Sequence, residues 1–243
     1  AIDKKSTDVA LVLKVHPSNY RVEGFVEETL VDQLSTLGVT VVSDIGSGLL
    51  DAACPWLSDG PPSWLNGEPA AKQTLAAGAD LVTFSGDKLM GGPQSGFIVG
   101  RRDLVDACAA HPLARALRPG GLVLSSLHNT LLSYLARTAQ KDIPFWRMAT
   151  TPVGALRTRA QSIVAETGVG QVVDCESLPG AGSAPGITIN SVGVSIDGDH
   201  LVALRNCQPP IIARVKDRST ILDLRTVDPS DDAVLIEALK KIC

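Results

Sequence analysis

The sequence has no C-x-x-C pair, and its five cysteines, Cys54, Cys108, Cys175, Cys207 and Cys243, are odd in number and widely scattered. That spacing excludes a disulfide framework and a zinc knuckle, and it points to a reducing, cytoplasmic setting. No apolar run approaches the roughly 18 residues that a membrane span needs, so no membrane insertion is expected. An excess of basic residues is also missing: 22 Lys+Arg stand against 26 Asp+Glu, a formal net charge of -4. A dedicated DNA or RNA binder carries a wholesale positive bias, so no DNA partner is expected and any RNA contact is local. The start, Ala1-Ile2-Asp3-Lys4-Lys5-Ser6, lacks both an initiator Met and a charged-then-apolar leader. The expectation is no secretory signal, and a chain that begins inside something longer.

What is present is 243 residues, 44% apolar and 20% charged. This suffices for one large domain or two small ones and is too apolar for disorder. Val9 to Val15 form a nearly continuous apolar run, as expected for a strand covered on both faces, followed by the loop His16-Pro17-Ser18-Asn19. Val26, Leu30, Val31, Leu34 and Leu37 have helical spacing over 26–37, with Gly38 as the stop, and Val39 to Val42 read as a second buried strand. A helix is expected at 68–77 and strands at 81–84 and 96–100, so the first part should be α/β with a mainly parallel sheet. Helices follow at 102–110 and 125–139, and the two prolines between 141 and 152 mark a domain junction. Beyond a helix at 153–167, the segments 187–196, 201–205, 211–215 and 220–224 read as strands, and Asp228-Pro229 opens a last helix. The expected domains are 1–145 and a small α+β domain at 146–243, with 179–186 as a Gly/Pro-rich loop.

Two strands end in polar clusters. Ser43-Asp44-Ile45-Gly46-Ser47-Gly48 places a carboxylate at the C-terminal edge of a parallel strand, where ligands bind in open α/β sheets. Ser85-Gly86-Asp87-Lys88-Leu89-Met90-Gly91-Gly92 holds a lysine between a strand and a glycine-rich turn. It is no P-loop, since the Gly-Lys-Ser/Thr order and the following helix are absent. Taken singly, the glycines read equally as turn formers and Asp44 as a cap. Taken together, the pair suits one chemistry: a lysine drawn partly out of water can form an imine with an aldehyde cofactor, and a carboxylate can keep a pyridinium nitrogen protonated. No residues have metal-ligand spacing, so no metal is expected; the tryptophans Trp56, Trp64 and Trp146 read as packing residues.

These segments resemble a known family. Residues 85–96, with 43–48 before them and His111-Pro112-Leu113-Ala114-Arg115-Ala116-Leu117-Arg118 after them, look like bacterial selenocysteine synthases, the L-seryl-tRNA(Sec) selenium transferases. Further matches are Lys14-Val15-His16-Pro17-Ser18-Asn19-Tyr20-Arg21, Pro210-Ile211-Ile212-Ala213-Arg214 and Leu222-Asp223-Leu224-Arg225, so the likeness runs the length of the chain.

The resemblance implies the C-terminal part of a fold-type I pyridoxal-phosphate large domain followed by a small α+β domain. It implies pyridoxal 5'-phosphate on Lys88 as an internal aldimine, with Asp44 facing the pyridine nitrogen and Ser85 and His16 among the cofactor's neighbours. Asp87 would tune proton transfer. Arg115 and Arg118 would meet selenophosphate, for which guanidinium forks are suited; two arginines three apart also describe a solvated helix face. Arg214 would hold a substrate carboxyl or carbonyl group. The implied reaction converts seryl-tRNA(Sec) to selenocysteinyl-tRNA(Sec) through an aminoacrylyl intermediate, with Lys88 as proton carrier, in a homo-oligomer built from dimers. Only 43 residues precede Asp44, so the cofactor's phosphate cup and much of the tRNA grip are expected outside this chain. The alternatives are a related lyase acting on a free amino acid or amino sugar, and a fragment that keeps the fold without activity.

Overall fold

The computed structural model describes residues 9–20, 22, 24–25, 27–180 and 182–242. The chain divides into two compact units, Ala1–Trp146 with Pro179–Ile187, and Arg147–Leu178 with Thr188–Cys243. Residues 179–187, which the sequence reading includes in 146–243, thus pack within the first unit.

The first unit is built on β1 (Leu11–Val15), α1 (Val31–Ser35), β2 (Thr40–Gly46), α2 (Ala71–Ala76), β3 (Leu81–Ser85) and β4 (Gly96–Gly100). The strands form one sheet in the order β1-β2-β3-β4. β1, β2 and β3 are parallel, and β4 returns antiparallel on β3 because only the turn at 86–95 separates them. On one face Ile45, Val82 and Phe84 meet Ala71, Met90 and Leu127. The other face is open: Leu11 is 50% exposed, Leu13 and Val15 58%, and Ile98 46%. The β1 run is therefore covered on one side, not two as its sequence suggested.

Helices α3 (Arg102–Ala110), α4 (Pro112–Ala116), α5 (Gly121–Leu135), α6 (Ala139–Asp142) and α7 (Pro144–Thr150) follow. Tyr134 of α5 and Trp146 of α7 join Trp56 and Trp64 in an aromatic cluster under the loops after β2, with Trp56 edge-on to Tyr134 at 4.7 Å.

The second unit contains α8 (Val153–Thr167), β5 (Gln171–Ser177), β6 (Ile189–Asp197), α9 (Leu201–Arg205), β7 (Arg214–Lys216), β8 (Ser219–Asp223) and α10 (Asp232–Ile242). Its antiparallel sheet runs β5-β6-β8-β7, and Leu156, Ile163, Val192, Val194, Leu222 and Leu239 form its core. Buried Arg225 donates to the carbonyls of Met148, Thr151 and Asn190 at 2.6–2.8 Å, which ties the end of α7 to the sheet.

Several sequence expectations fail for local reasons. The helix at 26–37 shrinks to α1, since Lys14 Nζ holds the Glu28 carboxylate at 2.7 Å and the Thr29 carbonyl at 2.8 Å; Val26 lies outside the described residues. Residues 201–205 are helical, not a strand: Asp199 accepts the Leu201 amide at 3.0 Å and starts a turn that buries Leu204. β5 went unread because its Asp174 and Glu176 interrupt the apolar signal.

Asp51 fastens the loop after β2 to α2, accepting from Lys72 Nζ at 2.6 Å, Gln73 Nε2 at 2.8 Å and the Ala53 amide at 3.0 Å. Burial pushes its carboxyl pKa up, but these donors outweigh it and hold the value down at about 2. A depressed carboxyl stabilises the fold above the ordinary aspartate pKa of about 3.9 and loses that contribution as pH falls toward the folded value. The urea midpoint should therefore drop between about pH 4 and 2, and Asp51→Asn should flatten that drop; an unchanged acid profile would remove Asp51 from this role. Cys54 is fully buried with its thiol pKa pushed up to about 11 by burial and by the Asp51 charge. Thiol reagents should label exposed Cys108 in the native protein and Cys54 only on unfolding, read by peptide mapping.

Candidate active site

The parallel pairing of β1, β2 and β3 brings three chain segments to one edge. Val15 sits opposite Asp44, and Asp44 opposite Thr83. The His16 amide donates to the Asp44 carbonyl at 2.8 Å, and the Ser18 amide to the His16 carbonyl at 2.8 Å. These bonds turn the loop after β1 so that the buried Ser18 points at the loop after β3. There Lys88 Nζ donates to Ser18 Oγ at 3.2 Å.

Gly46 makes this approach possible. The ladder shifts between Asp44 and Gly46, and Gly46 takes φ +65°, a left-handed conformation suited to glycine. Its amide donates to Asp44 Oδ1 at 3.1 Å, while a Cβ here would come within 2.6 Å of Ser18 Oγ and 3.9 Å of Lys88 Nζ. One residue thus orients the carboxylate and leaves room for the amine.

The lysine turn is anchored from below. Leu89 N–H donates to the Ser47 carbonyl at 2.9 Å, Gly91 N–H to the Lys88 carbonyl at 2.8 Å, and Gly92 N–H to the Gly86 carbonyl at 2.8 Å. The Tyr134 hydroxyl donates to the Met90 carbonyl at 2.8 Å and accepts from Trp146 Nε1 at 2.6 Å. Burial drives the Tyr134 pKa far up, against the opposing Trp146 hydrogen bond, so the hydroxyl stays neutral and donates. The part played by Tyr134 and Trp146 was not singled out from sequence; a tyrosine on the inner face of α5 reads as packing.

The expected residues fall into separate groups. Lys88 and the exposed Asp87 line a cavity of about 580 Å³ with Asn19, Phe145, Gly182 and Ser183. Asp44 and Ser85 line another, of about 1080 Å³, with Thr83, His111 and Arg118. Arg115 is exposed on α4, and Arg118 lies past the end of that helix, so the two do not share a helix face. Neither guanidinium has an ion-pair or hydrogen-bond partner among the described residues. His16 lines neither cavity: its Nε2 is buried 3.8 Å from Glu68 Oε1, and both atoms lack a hydrogen-bond partner among the described residues. Arg214 belongs to the second unit, where it donates to Asp223 at 3.1 Å and to the Glu176 carbonyl at 2.8 Å. Burial pushes the Asp223 carboxyl pKa up, but hydrogen bonds from Ser177, Ser191 and Arg214 outweigh it and leave the value lowered.

The donor set fits pyridoxal phosphate in two respects. Among the described residues Lys88 has no carboxylate partner, and Asp44 spends only one oxygen on a protein donor, Gly46 N–H. An amine held by a hydroxyl and a carboxylate with a free oxygen match an aldehyde and a pyridine N–H.

Tyr134→Phe should cost about 1–2 kcal/mol by urea unfolding and speed amide exchange at Gly91 more than in β3. Equal exchange at Gly91 in both proteins would show that the turn holds without this hydroxyl.

The family model described as L-seryl-tRNA selenium transferase matches residues 1–228. The L-seryl-tRNA(Sec) selenium transferase of Moorella thermoacetica is 40% identical over 250 residues, covering 96% of this chain and 52% of its own length. That of Hyphomonas neptunium is 34% identical, covering 97% and 53%. Among solved structures, D-glucosaminate-6-phosphate ammonia-lyase matches with a TM-score of 0.57 at 22% identity, over 95% of this chain and 56% of its own, a likeness of fold. The chain spans about half the length of the curated relatives it matches.

Proposed function

Because this chain belongs to the L-seryl-tRNA selenium transferase family and shares the fold of type I pyridoxal-phosphate enzymes, we propose that it serves the conversion of seryl-tRNA(Sec) to selenocysteinyl-tRNA(Sec). In this reading selenophosphate is the selenium donor, pyridoxal phosphate the cofactor, and the working form a cytoplasmic homo-oligomer built from dimers. The observation that carries the reading is the hydrogen bond from Lys88 Nζ to Ser18 Oγ beside Gly46, the residue whose N–H orients the Asp44 carboxylate.

Pyridoxal phosphate, when bound, supplies an aldehyde for the amine and an electron sink for the substrate Cα. Asp44 would keep the proton on the pyridine nitrogen with the oxygen that Gly46 leaves free. Lys88 Nζ would hold the cofactor's aldehyde and, as the free amine, would be the base that takes and returns the seryl Cα proton. Ser18 receives Nζ by hydrogen bond in its free state. Asp87, exposed beside the lysine, places a negative charge near that proton transfer. Arg115 and Arg118 offer their unpartnered guanidinium groups to the phosphoryl oxygens of selenophosphate. Overall the β C–O bond breaks and its oxygen leaves as water, a C–Se bond forms, and water cleaves the P–Se bond, forming a P–O bond and releasing inorganic phosphate.

The direct test is absorption with added pyridoxal phosphate, borohydride reduction and peptide mapping. Label confined to Lys88 and lost in Lys88→Ala supports the reading, while label spread over the surface lysines overturns it. With seryl-tRNA and selenophosphate supplied to the full-length protein, Arg118→Ala should raise KM for selenophosphate roughly ten- to hundredfold, as expected for losing a charge-assisted bond of about 1.5–3 kcal/mol. Turnover of free serine without any tRNA requirement would favour a small-amine lyase instead.

A further inference from the structure

The connection between β5 and β6 leaves the second unit, packs in the first as residues 179–187, and returns. Within that stretch Gly182 lies against the lysine. A Cβ at position 182 would sit 2.6 Å from Lys88 Cε, 3.0 Å from Nζ and 3.1 Å from Cδ. The stem of Lys88 therefore runs across the α-carbon of Gly182, with Gly46 and Ser18 at its tip. Gly180, Gly182 and the buried Ser183 line the same cavity as Lys88, Asp87 and Asn19. Nothing else about position 182 calls for glycine, since its φ is not in the left-handed range.

We propose that this connection is part of the amine site and that Gly182 is a positioning residue for Lys88: the missing side chain fixes where Nζ ends. The argument is steric. A methyl group at 182 must push aside the far end of the lysine side chain, Cε and Nζ, because a Cβ there would lie 2.6 Å from Cε, closer than carbon atoms approach. Moving the stem takes Nζ off Ser18 Oγ, and an amine misplaced by about 1 Å reacts slower by up to about a hundredfold. The proposal rests on Lys88 as the imine-forming amine, but its steric core does not.

Two measurements test it. The first is a double-mutant cycle on stability with Gly182→Ala, Lys88→Ala and the double variant, read as urea midpoints without cofactor. Since the clash falls on the flexible end of Lys88, Gly182→Ala should lower the midpoint only slightly while Lys88 is present and leave it unchanged in the Lys88→Ala background. If Gly182→Ala does not fold at all, recovery of folding in the double variant supports the proposal, and no recovery overturns it. The second is the rate of borohydride-trapped pyridoxal phosphate at Lys88, which should fall tenfold or more in Gly182→Ala with label at other lysines unchanged. Equal midpoint losses in both backgrounds, or trapping within twofold of the parent, overturn the proposal. Absence of trapping in the parent together with coupled midpoints would sink the cofactor reading and leave Gly182 as the residue that places Lys88.

Discussion

Backbone crowding at the C-terminal end of β2 governs the chemistry open to this chain. Three segments, the loops after β1, β2 and β3, approach so closely that a methyl group on Gly46 would strike the Ser18 hydroxyl. The parallel ladder sets this approach, since its register delivers Val15, Asp44 and Thr83 to one level. The aromatic cluster under α5 and α7 then keeps the lysine turn from relaxing away, through the Tyr134 bond to the Met90 carbonyl. Lys88 gains from this arrangement a position settled before any ligand arrives.

Much of this was legible in the order of residues. The strand before Asp44 and the turn around Lys88 carried their own signals, an apolar run closed by small polar residues, and α8 was read to its end because Pro152 and Gly168 bound it. Other features could not be read locally. α9 looked like a strand because Leu-Val-Ala-Leu has no period long enough to separate the two, and Asp199 decided it by accepting the Leu201 amide and starting the turn. Arg115 and Arg118 suggested one helix face, yet α4 ends at Ala116, ahead of Pro119. The roles of Tyr134 and Gly182 depend on contacts 44 and 94 residues away in sequence, by simple subtraction of Met90 and Lys88, and no spacing rule reaches so far.

Polar groups are treated differently in the two units. In the first, buried carboxylates serve the loops: Asp51 ties a loop to α2, and Glu68 faces His16 with its Oε1 unpartnered among the described residues. In the second, Asp223 gathers Ser177, Ser191 and Arg214 on one carboxylate, and Arg225 gathers carbonyls from α7 and β6. The Asp223 carboxylate, with both oxygens satisfied, fixes one arrangement of the sheet, because any alternative leaves it buried and unpaired.

The excursion of residues 179–187 into the first unit has a bearing on descent. Lys88 and the glycine against its stem are encoded on opposite sides of the stretch 147–178. A single genetic crossover within that stretch, joining the front of one gene to the back of another, would pair a lysine from one parent with a covering loop from the other. Recombination at the apparent domain junction is thus penalised at the amine itself, and the two units are expected to travel through evolution as one inherited piece.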